Sequence, residues 1–329
     1  IFHSELGNIQ EKVIRLHKLS GFVLKIQKAT KQDKVDFKHI VNLLKNDLVT
    51  EVVKEFPELQ GVMGSYYAKK ANYNSNISKA IYDQYKPLGP NDKLPSTRLG
   101  KLVSLIDKVD TLVGFFIIGR QPSSSKDPFA LRRTALGIIR IIVEGKLDFN
   151  LADVIFNSLE TYKSTGFSKQ LNDKNSFEKI NTKLINFIME RYENLLKDNL
   201  SYKNNLYKSI KINLLKLNLL KINENIEFLN IFFQSQDGLK LLNAIKRVIN
   251  IIENEKHDDK NSEIKPNIKL FIKTEEHDLY LKLNEYVAED IFDAKTLIKN
   301  LMFLVIPIEN FFDKVQINHQ DTQLKKNRL

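Results

Sequence analysis

The stretch KDPFALRRTALGIIRIIVEG at 126–145 sets three arginines, Arg132, Arg133 and Arg140, among leucines and isoleucines. On a helix Arg133, Gly137 and Arg140 share one narrow stripe, at steps of four and three. Guanidinium groups there can pair bidentately with phosphates or with the carboxylates of a partner helix, and the glycine between them leaves room for close approach. The same spacing suits salt bridges within the chain, and spacing alone does not separate the two readings. Asp127 stands at the N-cap position and Pro128 at the first helical position, so the helix is expected over 128–144. An SSSK turn precedes it, but the Asp127 carboxylate competes with any anion for the free N–H groups there.

Other chemistry is sparse. The chain has no cysteine, which excludes disulfides, thiolate zinc sites and a cysteine nucleophile, and fits a reducing cytoplasm. His3, His17, His39 and His319 stand alone. The pairs His257-Asp258 and His277-Asp278 lie in or beside a charged loop at 253–266, with no second helix offering ligands, and read as surface polar residues. Neither a GxxxxGK[ST] phosphate loop nor a GxSxG elbow occurs. No catalytic residue, metal ligand or bound cofactor is expected. Lys and Arg number 51 against 40 Asp and Glu, a formal charge of +11 that favours polyanions, nucleic acid above all. A second reading stays open: a chain crowded with Lys, Asn and Ile carries the bias of an AT-rich genome whatever its function.

The elements that must position these residues are helical. Apolar residues recur at steps of three and four, as in Ile9, Val13, Leu16, Leu19, Val23 and Ile26, or Leu102, Leu105, Ile106, Val109, Leu112 and Val113. No segment alternates strictly, and 12 Gly and 8 Pro in 329 residues permit long helices, so the fold class is all-α. Helices are expected over 5–28, 36–55, a short stretch after Pro57, 97–118 and 128–144. A Pro- and Gly-rich loop, KPLGPNDKLPS, occupies 86–96. Three domains follow: 1–146, a helical connector at 147–198 holding the polar segment STGFSKQLNDKNS, and a helical block at 199–329. No apolar run approaches the roughly 20 residues that cross a bilayer, and no partner membrane is expected. The absence of an initiator Met and the ending LKKNRL in mid-helix suggest a piece of a longer chain.

Four runs carry a family resemblance: ELQGVMGSYYA (58–68), LPSTRLGKLVSLIDKVDTLVGFFIIG (94–119), KDPFALRRTALGIIRII (126–142) and FFDKV (311–315). Together they resemble the β subunit of the bacterial tetrameric glycyl-tRNA synthetase, most strongly over 1–145. The resemblance implies the later part of that subunit. It also implies an α subunit as partner, a heterotetramer, glycine tRNA as ligand, and ATP used by the α subunit rather than by this chain. The last block looks like a helical anticodon-binding (DALR-like) bundle, in which a pattern close to D-x-x-L-x-x-N-R-L recurs, here Asp321, Leu324, Asn327, Arg328 and Leu329. On that resemblance Lys246, Arg247, Lys325 and Arg328 are candidates for tRNA contact, and Arg132, Arg133 and Arg140 for tRNA or subunit contact. Lys203, Lys208, Lys211, Lys216 and Lys221 fit either a diffuse phosphate-facing field or a solvated face.

The first block resembles the HD superfamily of metal-dependent phosphohydrolases. LIDKVDTLVG (105–114) looks like the helix bearing that family's last aspartate, here Asp107, and IVNLLKNDLVT (40–50) like the helix bearing its His-Asp pair. Lys45 and Asn46 stand where that pair would fall. An ammonium group cannot ligate a divalent cation, so the resemblance implies a degenerate domain, with Asp47 and Asp107 as structural acceptors or as partners of Lys45 in a relic pocket.

Overall fold

The computed structural model describes residues 3–123, 125–198, 217–254, 266–286 and 293–329. Among the described residues there is no strand, only an isolated bridge between His3 and Gly7. Backbone contacts divide the chain into two units, with the division at Asn223/Glu224.

The first unit contains α1 (Ile9–Ile26), α2 (Lys31–Leu43), α3 (Glu51–Glu55), α4 (Val62–Lys70), α5 (Ser75–Asp83), α6 (Arg98–Ile117), α7 (Leu131–Val143), α8 (Leu151–Tyr162), α9 (Ser168–Asn172) and α10 (Lys174–Asp198). Helix α6 is apolar on nearly every side and buried along its length, as such a helix must be. It packs against α1, α2, α5, α7, α8 and α10, and so forms the axis of the unit. The segment 147–198 packs onto the first block, α8 against α1 and α6, α10 against α6 and α7.

Local sequence explains the boundaries. Helix α1 starts at Ile9 because Gly7 takes a left-handed φ of 85° and Asn8 forms a reciprocal capping box with Glu11. The helix expected over 36–55 is three pieces: α2, a 3-10 turn at Asn46–Val49, and α3, which starts afresh at the Thr50 cap. The break is pinned by Asp47, whose buried carboxylate accepts the Gly61 and Gly64 N–H groups at 2.6 and 3.1 Å. Both glycines belong to the ELQGVMGSYYA run. Gly61 has φ 81°, and a Cβ on Gly64 would meet Ile81 at 2.9 Å and the Asp47 carboxylate at 3.1 Å.

Helix α7 begins at Leu131, not at 128. Its N-cap residue is Ala130, not Asp127, and Pro128 lies outside the helix, although the two Asp127 carboxylate oxygens accept the Leu131 and Arg132 N–H groups at 2.8 and 3.0 Å. The intervening turn ends at Ala130 with φ 53° and stacks Phe129 on Phe115, centroids 4.3 Å apart. Stacking of that ring, rather than continuation of the helix, decides the path of residues 128–130.

The second unit contains the remainder of α11 (Leu219–Phe232), then α12 (Gln236–Asn254), α13 (Thr274–Tyr286), α14 (Ala294–Lys314) and α15 (Thr322–Arg328). Its core joins Leu241 and Ala244 of α12 to Ile298 and Val305 of α14, flanked by Phe228, Leu229, Phe232 and Phe233. No helix among the described residues is long and apolar enough to cross a membrane.

Candidate functional site

The chemistry of the first unit gathers around α6. Asp107 and Asp110, three residues apart, face α1, which answers with Lys12 and Arg15 at the same spacing. The Arg15 guanidinium is bidentate on Asp110, at 2.7 and 3.1 Å, and stacks 4.2 Å over the Tyr162 ring. The Lys12 ammonium lies 3.2 Å from Asp110 and 3.1 Å from Asp107, and donates to Thr111 Oγ1 at 2.7 Å. Lys45 leaves the chain at the break after α2, so its side chain turns inward. It donates to the second oxygen of Asp107 at 3.2 Å and sits 4.1 Å over the Tyr85 ring. All five charged groups are buried. Burial alone would raise the Asp107 pKa, but Lys12, Lys45 and Lys108 outweigh it and hold the carboxyl below its usual range. Asn46, by contrast, is exposed.

Beside this cluster opens a cavity of about 380 Å³. Asp107 lines it together with four cationic side chains, Lys12, Lys45, Lys108 and Arg133. Lys108 donates to the Tyr85 carbonyl at 2.9 Å and to Ser104 Oγ at 3.1 Å, both neutral acceptors. Its stem runs along Gly137, where a Cβ would come within 2.8 Å of Lys108 Cε. The glycine between the two arginines thus makes room for a lysine of the same chain. Burial, with help from Lys45 and Lys12 and against Asp107, lowers the Lys108 pKa to about 8.

A group whose folded pKa is depressed below the unfolded lysine value leaves the unfolded state binding more protons between the two. Stability contributed by Lys108 therefore rises with pH, from about 8 toward the unfolded lysine value of about 10.4. Urea denaturation between pH 7 and 10 should show wild type gaining on Lys108→Met across that window, by about 1.4 kcal/mol per pH unit or less. Parallel profiles would show that Lys108 is not buried as an ammonium.

The three arginines of α7 part company. Arg140, its side chain 11% exposed, pairs bidentately with Glu144 at 2.6 and 2.9 Å and donates to the Gly89 and Asp92 carbonyls at 2.9 Å each. It is committed within the chain as a clamp on the 86–96 loop. Arg132 donates to the Ser123 carbonyl. Arg133 is exposed at the cavity, with only a 3.5 Å contact to the Leu88 carbonyl.

In the second unit, Lys246 and Arg247 lie exposed on α12. Both terminal nitrogens of Arg247 reach one oxygen of Asp313 at 3.1 Å, its guanidinium lies 4.9 Å over the Phe312 ring, and its side chain stays 47% exposed. The FFDKV run thus supplies the platform for Arg247. Arg328 differs: with 5% of its side chain exposed, it donates to Glu276 at 2.7 Å and to the Gln316 carbonyl at 3.0 Å. Glu276 also accepts the Ile272 and Lys273 N–H groups, each at 2.7 Å, and Asn327 exchanges hydrogen bonds with the Asn267 backbone. Arg328 is thus turned toward its own chain, and with Asn327 it ties α15 to Glu276 of α13 and to Asn267. Lys325 on the same helix is half-buried.

Among the described residues no three His, Asp or Glu side chains converge as a metal site would need. His277 packs edge-on to Phe271 and is exposed. His257-Asp258 and the lysines at 203, 208, 211 and 216 lie outside the described residues, while Lys221 is exposed. Sequence reasoning missed Lys12, Arg15 and Asp110. The signal was present, as two cations on an apolar helix face and two carboxylates on another, each pair three residues apart.

Comparison with known proteins gives one answer. Residues 1–211 match the family described as glycyl-tRNA synthetase beta subunit. The glycine-tRNA ligase beta subunit of Rickettsia africae is 38% identical over 334 residues, which cover 100% of this chain and 46% of that protein. The beta subunits of Rickettsia bellii and Buchnera aphidicola are likewise 38% identical, over 335 and 345 residues, covering 45% and 46% of those proteins. The chain spans less than half the length of the curated relatives it matches.

Proposed function

Because the chain belongs to the glycyl-tRNA synthetase beta subunit family, we propose that it is a tRNA-holding part of a glycine-tRNA ligase that works with an alpha subunit and has no catalytic residues of its own. On this reading it is cytoplasmic and part of a heterotetramer, ATP and glycine are handled by the alpha subunit, and residues 1–146 form a degenerate HD-like domain. Residues 147–198 serve as a connector, and 199–329 as an anticodon-binding-like bundle.

The observation that carries the noncatalytic half is the place of Lys45 and Lys12 on Asp107. Ammonium groups hold both oxygens of the carboxylate that a divalent cation would need, and repel that cation besides. The tRNA half is supported by family membership, by the charge of +11, and by Arg247 with Lys246 on one exposed helix. Arg247 is tied to a surface carboxylate, a pair worth about 0–1 kcal/mol, and to the face of Phe312, and a phosphate or an unpaired anticodon base can compete for its guanidinium. Of the α7 arginines, Arg133 keeps its guanidinium at the surface for such contact.

The test is binding to glycine tRNA and to a noncognate tRNA across a salt series. The expected result is a cognate preference that survives at higher salt, with Arg247→Ala weakening binding and reducing the salt slope by about one. Equal, steeply salt-sensitive binding of both tRNAs, indifferent to Arg247→Ala, would reduce the basic charge to nonspecific attraction.

A further inference from the structure

We propose that the cavity between α1, α6 and α7 is a binding site for a phosphate monoester, with Lys45, Lys108 and Arg133 as the groups that meet the dianion. The cluster and the cavity lining carry an excess of positive charge. Lys12, Arg15, Lys45, Lys108 and Arg133 make five cations, Asp107 and Asp110 two carboxylates, and the difference is three positive charges. The neighbouring carboxylates are engaged elsewhere, Asp47 on the Gly61 and Gly64 N–H groups and Asp92 on those of Leu88 and Lys93.

Two cations have no carboxylate partner among the described residues. Lys108 is half-buried with its ammonium on neutral oxygens, and Arg133 reaches only a carbonyl. A largely desolvated ammonium whose direct contacts are all neutral is costly to maintain, and an anion in the cavity would supply a direct partner. Two unpaired cations match a monoester dianion better than the single charge of a diester or of chloride. The space is built as well: Gly137 clears the path of Lys108, and Tyr85 holds Lys45 in place through its ring. A volume of about 380 Å³ is in the range of small-molecule sites, with Ile9, Leu48 and Leu88 lining it for an organic portion.

This inference stands apart from the tRNA reading, because its test contains no RNA in its first arm. The 329-residue chain is titrated calorimetrically with inorganic phosphate and with adenosine monophosphate at matched ionic strength, with dimethyl phosphate as the diester control. Monoesters should bind at one site, at least about tenfold more tightly than dimethyl phosphate, and Arg133→Gln should weaken them about tenfold, as for loss of one charge-assisted hydrogen bond. Lys108→Met should weaken them as well, and Lys54→Gln, at an exposed pair with Glu51, should leave them unchanged. Arg133 is exposed, so its variant tests the site even where Lys108→Met disturbs the fold. No saturable binding, equal binding of the diester, or indifference to Arg133→Gln overturns the proposal. In a second arm, displacement of adenosine monophosphate by 5′-phosphorylated tRNA and not by dephosphorylated tRNA would identify an RNA terminus as the source of the monoester. Displacement by neither would identify a free small molecule.

Discussion

Asp110→Ala should destabilise the first unit by about 3–5 kcal/mol, because it strands two buried cations at once. Arg15 loses its only bidentate partner and Lys12 loses one of its two carboxylates, while both side chains remain buried between α1 and α6. A domain holds roughly 5–15 kcal/mol in all, so the loss takes a large share of that margin and raises the unfolded fraction at neutral pH by roughly a hundredfold or more. The measurement is urea denaturation of wild type, Asp110→Ala, and the double variant Arg15→Met with Asp110→Leu. Replacing the pair together with apolar groups removes the desolvation cost along with the attraction, so the double variant should recover most of the loss. A loss below about 1 kcal/mol for Asp110→Ala would mean that water reaches the cluster, as at a surface pair. Acid gives an independent check through Asp107. Its folded pKa lies below the unfolded value, so the unfolded state takes up protons first as pH falls. Its stabilisation is then present in full above about pH 4 and lost below it.

The second unit should be most sensitive at Glu276. Glu276→Ala leaves the Arg328 guanidinium buried without its counter-charge and frees the Ile272 and Lys273 N–H groups, and is expected to cost about 3–5 kcal/mol. Amide hydrogen exchange in α13 and α15 would report it, protection falling there while α6 keeps its own. Arg328→Met should behave in the same way. The contrast with Arg247→Ala is informative. Arg247 is half exposed on a surface pair, so its loss should leave exchange unchanged and lower only tRNA affinity. Full protection in Glu276→Ala would contradict the structural part assigned to Arg328.

What could be read in the sequence follows the strength of local signals. Helix α6 was expected over 97–118 and spans Arg98–Ile117, since Thr97 caps it and nothing inside breaks it. The helix expected over 36–55 is interrupted, because the break at Lys45 depends on Asp47 reaching Gly61 and Gly64, a tertiary contact that periodicity does not carry. Helix α5 was not anticipated. Its Asn74 cap accepts the Ile77 N–H and starts a helix of nine residues, Ser75–Asp83. At the candidate site, Lys45 and Asp107 were reached through family resemblance. Lys12, Arg15 and Lys108 were not, because a charged residue on an apolar face is ordinarily taken to reach solvent. Here Gly137 and the two aspartates of α6 give the cations room and partners inside.

The noncatalytic reading rests on ammonium groups filling the place a metal would hold at Asp107. Hydrolysis of a phosphate monoester in the presence of Mn²⁺ or Mg²⁺, with and without chelator, measures that directly. No turnover above the uncatalysed rate, in wild type and in Asp107→Asn alike, is the expected result. Chelator-sensitive hydrolysis that disappears in Asp107→Asn would contradict it and return the first unit to the metal-dependent phosphohydrolases.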